Sequence, residues 1–195
     1  QGTTGTTCLL VDAQQQVIDR TYREFPQIYP KSGWVEHDPE AIWASVVATI
    51  RDLMQRHSDV TLAGIGITNQ RETTIVWERQ TGRPLHNAIV WQCRRTDDFC
   101  ETLRQAGHAD TFRRKTGLVL DPYFSGTKIR WILDHTQSHA RAQAGELAFG
   151  TVDCFLINRL TNHAVHATDV TNASRTLMMD LDSCRWDPWC LEQLG

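Results

Sequence analysis

Two short stretches hold side chains able to do chemistry. The first is Gln1-Gly2-Thr3-Thr4-Gly5-Thr6-Thr7. Its glycines allow a tight turn and close approach of the backbone to an anion. Its backbone N–H groups and threonine hydroxyls are the donors of an anion-binding concavity. It is not a P-loop, because the G-x4-G-K-[ST] spacing is missing and no helix follows; it is not a dinucleotide fingerprint, because a strand follows the glycines. The same residues also read as an ordinary threonine-rich turn. The second stretch is Gly66-Ile67-Thr68-Asn69-Gln70-Arg71-Glu72-Thr73, between two apolar segments. Arg offers five N–H donors and Glu offers acceptors, so together they can grip a hydroxyl from both sides, as a neutral polyol requires. Neighbouring strand residues point to opposite faces, so Arg71 and Glu72 can share a ligand only where the chain leaves strand geometry. In isolation the pair reads more readily as an exposed ion pair at a strand end.

Two further segments add candidates. Val90-Trp91-Gln92-Cys93-Arg94-Arg95 ends a strand, where Trp91 can present its face to C–H groups or simply close a core edge. Asp121-Pro122-Tyr123-Phe124-Ser125-Gly126-Thr127-Lys128 precedes a helix, where Tyr123 can donate its phenol to a ligand or pack that helix. No Ser, His and Asp arrangement reads as a nucleophilic triad. His135 and His139 are spaced to share a helix face, but no third metal ligand follows, and they read as surface histidines. The six cysteines form no CxxC pair and read as reduced thiols without a redox role.

The elements that must position these residues can be traced by pattern. Residues 6–12 and 17–25 read as a hairpin. Asp38-Pro39-Glu40 opens a helix with Asp as N-cap and Pro at the first position. That helix carries Ile42, Val46, Ile50, Leu53 and Met54 on one face and ends near His57. Residues 62–68, 73–77 and 87–91 read as strands; 95–105, 109–115, 125–135 and 151–160 read as helices. A final helix starts at Asp187-Pro188. The order predicts an α/β domain with a mixed sheet that opens in a β-hairpin.

Composition bounds the function classes. The chain has 195 residues, 41% hydrophobic and 22% charged, with net charge −3. Those values describe a soluble globular protein rather than a disordered one. The length accommodates one large domain or two small ones. A mild negative charge gives no general attraction to nucleic acid or anionic lipid. No apolar run approaches the ~20 residues of a bilayer span, and no signal peptide is visible.

Taken together, the motifs resemble the FGGY carbohydrate kinases, and within them the glycerol kinases. The matching stretches are Gln1 to Thr4, Pro30 to Pro39 (PKSGWVEHDP), Gly64 to Thr74 (GIGITNQRETT), Asn87 to Arg95 (NAIVWQCRR), Lys115 to Lys128 (KTGLVLDPYFSGTK), Trp131 to Asp134, Gly145 to Asp153 and Thr168 to Thr176 (TDVTNASRT). The resemblance implies an actin-like, RNase H-type ATPase domain, the N-terminal, substrate-binding domain of a two-domain kinase, spanning 1–195. It implies transfer of the ATP γ-phosphoryl group to glycerol, giving sn-glycerol 3-phosphate, with Mg2+ beside ATP. Arg71, Glu72 and Tyr123 match hydroxyl-binding residues, Trp91 the aromatic flanking the glycerol carbons, and Thr3, Thr4 and Gly5 the phosphate loop. Other polyols or sugars remain alternatives, as does a non-catalytic binding protein of the same fold. The resemblance further implies a cytoplasmic homo-oligomer without nucleic-acid or membrane partners. It departs in three places. Thr7 stands where the family usually has a phosphate-contacting Arg. The family's metal-side Asp is expected before Gln1. The general-base Asp and the nucleotide-binding C-terminal domain are expected beyond Gly195, so the chain reads as truncated at both ends and inactive by itself.

Overall fold

The computed structural model describes residues 1–195. The chain opens with β1 (Gly5–Val11) and β2 (Val17–Glu24), an antiparallel hairpin. Its turn is set by Asp12, whose Oδ1 accepts from the Gln14 and Gln16 N–H groups at 2.9 and 2.8 Å, while Gln15 takes the left-handed conformation. The short β3 (Glu36–His37) leads into α1 (Pro39–Arg56). Asp38 caps α1 by accepting from Glu40 N–H, with Pro39 at the first position, as the sequence predicts. The buried stripe of α1 is Ile42, Ser45, Val46, Thr49 and Leu53. Its apolar members each contribute roughly 1.5–3 kcal/mol by burial. Its polar members face the hairpin, where Ser45 and Thr6 share a buried hydroxyl–hydroxyl bond of 2.7 Å.

The central sheet runs β3-β5-β4-β6, with β4 at Thr74–Glu78, β5 at Ala88–Ile89 and β6 at Leu147–Thr151. Around it lie α2 (Asp97–Gln105), α3 (Ala109–Thr116), α4 (Ser125–His135), α5 (His139–Gln143), α6 (Val152–Leu160) and the single-turn α7 (Val170–Ala173). A two-stranded ribbon, β7 (Met179–Asp180) with β8 (Arg185–Trp186), and α8 (Pro188–Leu194) close the chain. One core joins α1, β4, β6 and α6 through Ile42, Ile75, Trp77, Val152 and Phe155. A second gathers Phe112, Leu120, Phe124, Leu177 and Leu194 beneath α3, α4 and α8.

The hairpin opening and the α/β layering are as expected. Every ladder between these strands is antiparallel. Parallel pairing is confined to one point, where Gln1 N donates to Thr68 O at 2.7 Å and Gln70 N donates to Gln1 O at 2.9 Å. Residues 62–68 therefore form no strand: their apolar alternation lacks a neighbour to satisfy the backbone, and Leu62 and Ile65 are exposed. The strand read at 87–91 contracts to Ala88–Ile89. The β6 strand was not anticipated from its short apolar run, Leu-Ala-Phe-Gly-Thr, which has no period to reveal it. His135 and His139 belong to different helices, and His139 pairs with Asp134 at 2.6 Å.

Gly126 shows why the first turn of α4 needs a glycine. Its N–H donates to Thr176 O at 2.7 Å, and a Cβ would stand 2.7 Å from that same backbone oxygen. Exposed Gly→Ala changes in helices usually stabilise by about 1 kcal/mol. Gly126→Ala is instead expected to destabilise by about 1–3 kcal/mol, because backbone must move to admit the methyl group. Urea unfolding measures this, and unchanged or raised stability would contradict the close contact.

Candidate functional site

The residues marked by the sequence come from four segments, which the fold draws together. The loop at 2–5 precedes β1, the turn at 69–73 precedes β4, Val90–Trp91 follows β5, and 121–124 precedes α4.

The chain leaves strand geometry at the Arg71–Glu72 turn, as joint action of the pair requires. Glu72 has φ +67°, an uncommon conformation for a residue with a side chain. The surroundings fix it: its carbonyl accepts from Thr74 Oγ1 at 2.9 Å and Ser125 Oγ at 3.2 Å. Its carboxylate is buried and accepts from Arg175 Nε at 2.6 Å. Arg71 points the other way in exposure; it lies at the surface and its guanidinium forms no hydrogen bond or ion pair within the chain. The two neighbours are therefore not partners of each other.

Trp91 and Tyr123 form one aromatic wall, their ring centroids 5.4 Å apart and tilted by 57°. The Tyr123 loop is held from two sides. Asp121 Oδ1 accepts from Tyr123 N–H at 2.8 Å and from Arg94 at 2.9 Å. From beneath, Lys128 donates to the carbonyls of Tyr123 and Phe124, at 2.5 and 3.1 Å. Lys128 is fully buried, and burial pushes its ammonium down to about 7.

Trp91 also touches the glycine–threonine loop, its indole N–H donating to Thr3 Oγ1 at 3.0 Å. Gly2 N–H is used within the loop, on Gly5 O at 2.9 Å, whereas the N–H groups of Thr3 and Thr4 donate to no protein atom. Gly5 is buried, and a Cβ there would meet Arg23 O at 2.6 Å. Thr7 is exposed on β1, opposite Tyr22. Gln1, Gly2, Thr3, Thr68, Asn69 and Gln70 line an open cavity of about 290 Å³. A larger cavity, about 490 Å³, lies beside β6 and β8; it contains none of the candidate ligand-binding residues, though Thr168, Asp169 and Thr176 in its wall belong to a matching stretch.

Loop and turn are locked together by the half-buried Gln27, the buried Gln70 and the buried imidazole of His37. Gln27 Nε2 donates to Thr3 O at 3.0 Å, and its Oε1 accepts from His37 Nε2 at 2.6 Å. Gln70 Nε2 donates to His37 Nδ1 at 3.2 Å and to Gly2 O at 3.1 Å. Gln70 Oε1 accepts from Thr73 Oγ1 at 3.0 Å. Chemically, the arrangement offers free N–H donors and an exposed guanidinium on one side. On the other it offers a buried carboxylate beside an aromatic wall: a place for an anion next to a place for a hydroxylated ligand. Sequence reasoning missed Gln27, His37 and Arg175. Only Arg175 left a signal, since a carboxylate buried like Glu72 requires a nearby cation.

The fold is that of an actin-like α/β domain of the kind found in sugar kinases. The profile of the FGGY family of carbohydrate kinases, N-terminal domain, matches residues 1–195, and the chain belongs to that family. It is 54% identical to a glycerol kinase from Shigella flexneri and to one from Escherichia coli, over 100% of this chain and 39% of each relative. It is 33% identical to the crystal structure of Plasmodium falciparum glycerol kinase with ADP, with TM-score 0.94 over 98% of this chain and 39% of that one. Gluconate kinase from Lactobacillus acidophilus is 27% identical with TM-score 0.86, over 99% of this chain and 38% of that one. The chain thus spans about two fifths of the length of these relatives.

The His37 linkage makes a pH prediction. Burial pushes this imidazole from 6.5 down to about 4. Above pH 6.5 neither the folded nor the unfolded chain holds the proton. Between 6.5 and about 4 only the unfolded chain holds it, so lowering pH across this window favours unfolding. Unfolding free energy measured from pH 7 to 5 is expected to fall, and to fall less steeply in His37→Gln. Equal slopes in the two proteins would show that His37 titrates normally.

Proposed function

We propose that the protein carrying this chain is a glycerol kinase, transferring the γ-phosphoryl group of ATP to a terminal hydroxyl of glycerol. The observation that carries this reading is the Trp91–Thr3 hydrogen bond, which joins an anion-type loop to a polyol-type pocket at 3.0 Å. The 54% identity to glycerol kinases along the whole chain supports glycerol over other acceptors. In this reading Arg71 donates to hydroxyls, Glu72 accepts from one, Tyr123 donates its phenol, and Trp91 covers the carbons. Thr3, Thr4 and the backbone at Gly5 hold nucleotide phosphates through N–H and hydroxyl donors. Phosphoryl transfer is largely positioning and charge stabilisation, and these residues supply the positioning of both reactants.

Mg2+ enters this reading with ATP. No three His, Cys, Asp or Glu side chains of the chain lie together as a cage for a metal. In this reading the ion would be held through the nucleotide's phosphates beside the Thr3–Thr4 loop and would neutralise part of their charge. No helix is long and apolar enough to cross a membrane. A cytoplasmic location belongs to this reading through the likeness to glycerol kinases. A homo-oligomer of the complete protein belongs to the same reading.

Likeness to gluconate and xylulose kinases, at TM-scores of 0.86 and 0.85, supports a second acceptor class on this scaffold. Assay of the complete protein against glycerol, gluconate and xylulose decides between them, and glycerol is expected to have the highest kcat/KM. Arg71→Ala is expected to lower kcat/KM for glycerol by roughly 10- to 1,000-fold, through loss of charged hydrogen bonds. Unchanged kinetics would remove Arg71 from the site.

A further inference from the structure

Arg175 lies just past α7, 103 residues from Glu72 in the chain. Its Nε donates to Glu72 Oε1 at 2.6 Å, in the one ion pair that the Glu72 carboxylate makes. The Glu72 side chain is 4% exposed and Arg175 31% exposed, so the contact lies at the edge of the buried region. The hydrogen bond and ion pair of this carboxylate both fall on Oε1, and no protein donor reaches Oε2. The guanidinium carbon of Arg175 stands 4.9 Å from the Phe124 ring and 6.0 Å from the Tyr123 ring. Its carbonyl accepts from Ser125 N–H at 3.4 Å, and Ser125 Oγ donates to the Glu72 carbonyl. One arginine thus touches, directly or through Ser125, both the buried carboxylate and the loop that carries Tyr123.

A flexible carboxylate on a left-handed residue can turn toward water or toward the unpaired guanidinium of its neighbour Arg71. Ion pairing through one oxygen prevents that and leaves the second oxygen to accept from a ligand. A planar guanidinium does this better than an ammonium, because its donors are fixed relative to the stacked face. We propose that Arg175 is a positioning residue for the acceptor substrate: it aims Glu72 Oε2 at one hydroxyl and so sets discrimination for a polyol bearing that hydroxyl. This inference rests on the glycerol kinase reading above.

The test uses the complete protein with ATP and three acceptors: glycerol, 1,2-propanediol and 1,3-propanediol. The diols each lack one hydroxyl. In wild type, glycerol should be preferred over both diols. Arg175→Ala should raise KM for glycerol by about 10- to 100-fold, the range of a lost charged hydrogen bond, and leave KM for ATP within about twofold. It should also narrow the preference for glycerol over at least one diol by about tenfold, because that hydroxyl is no longer held. Arg175→Lys should recover part of the loss, and it serves as the folded control should the alanine variant be unstable. Effects of Arg175→Ala and Glu72→Gln should be less than additive, since both act on one hydrogen bond. Equal losses on glycerol and both diols, or additive effects of the two variants, would overturn the assignment of Arg175 while leaving glycerol kinase activity standing. A wild-type protein that phosphorylates no glycerol would overturn the function itself and the Arg175 assignment with it.

Discussion

The site depends on a buried hydrogen-bond chain whose direction is fixed by one neutral imidazole. His37 must accept from Gln70 at Nδ1 and donate to Gln27 at Nε2. That polarity orients both glutamine amides, so that each turns an N–H toward the backbone of the glycine–threonine loop, at Gly2 O and Thr3 O. A buried donor or acceptor left unmatched costs about 1–3 kcal/mol, so the chain tolerates one arrangement of its members. The loop before β1 and the turn before β4 are consequently tied to each other, although some seventy residues separate them in sequence. The Trp91 indole completes the connection by bonding Thr3 from the far side of that turn.

Charge within the molecule is arranged by the same economy of burial. Arg95 is fully buried yet pairs with Glu36 at 2.6 Å, and its guanidinium lies between Trp34 and Trp131, at 4.0 and 4.5 Å. A guanidinium suits such a slot because it is weakly hydrated and stacks on aromatic faces. Lys128 has no carboxylate in contact; two carbonyls accept from it, and burial pushes its ammonium down to about 7. Lys128 thereby ties the Tyr123 loop to α4, while the exposed guanidinium of Arg71 has no partner within the chain.

Local chemistry made much of this legible in the sequence. The Asp38-Pro39 start of α1, the Asp12 turn of the hairpin and the left-handed Gly117 after α3 are short-range signals, and each appears where its residue type demands. The site turn was legible too, because a polar Asn-Gln-Arg-Glu run between apolar segments must break the strand. What remained hidden is long-range. Residues 62–68 have strand-like composition, but a strand exists only where a neighbour accepts its hydrogen bonds. Gly126 looked like part of a motif, and only Thr176 O explains it. Arg175 stood in a matching stretch without a role, because its partner Glu72 lies 103 residues away. His37 gave no sign of its role, because its partners Gln27 and Gln70 are ten and thirty-three residues away.

The Trp91–Thr3 contact gives the molecule an optical property. An indole whose N–H is bonded emits at a wavelength that follows the strength of that bond and the polarity around the ring. Here the acceptor is the hydroxyl of a loop with unpaired N–H donors, and the ring itself leans on Tyr123. Events on either side, at the loop or at the aromatic wall, converge on one chromophore. Trp91 is therefore a native fluorophore wired to both halves of the site, and a protein in which the other tryptophans are replaced by phenylalanine turns that wiring into a signal.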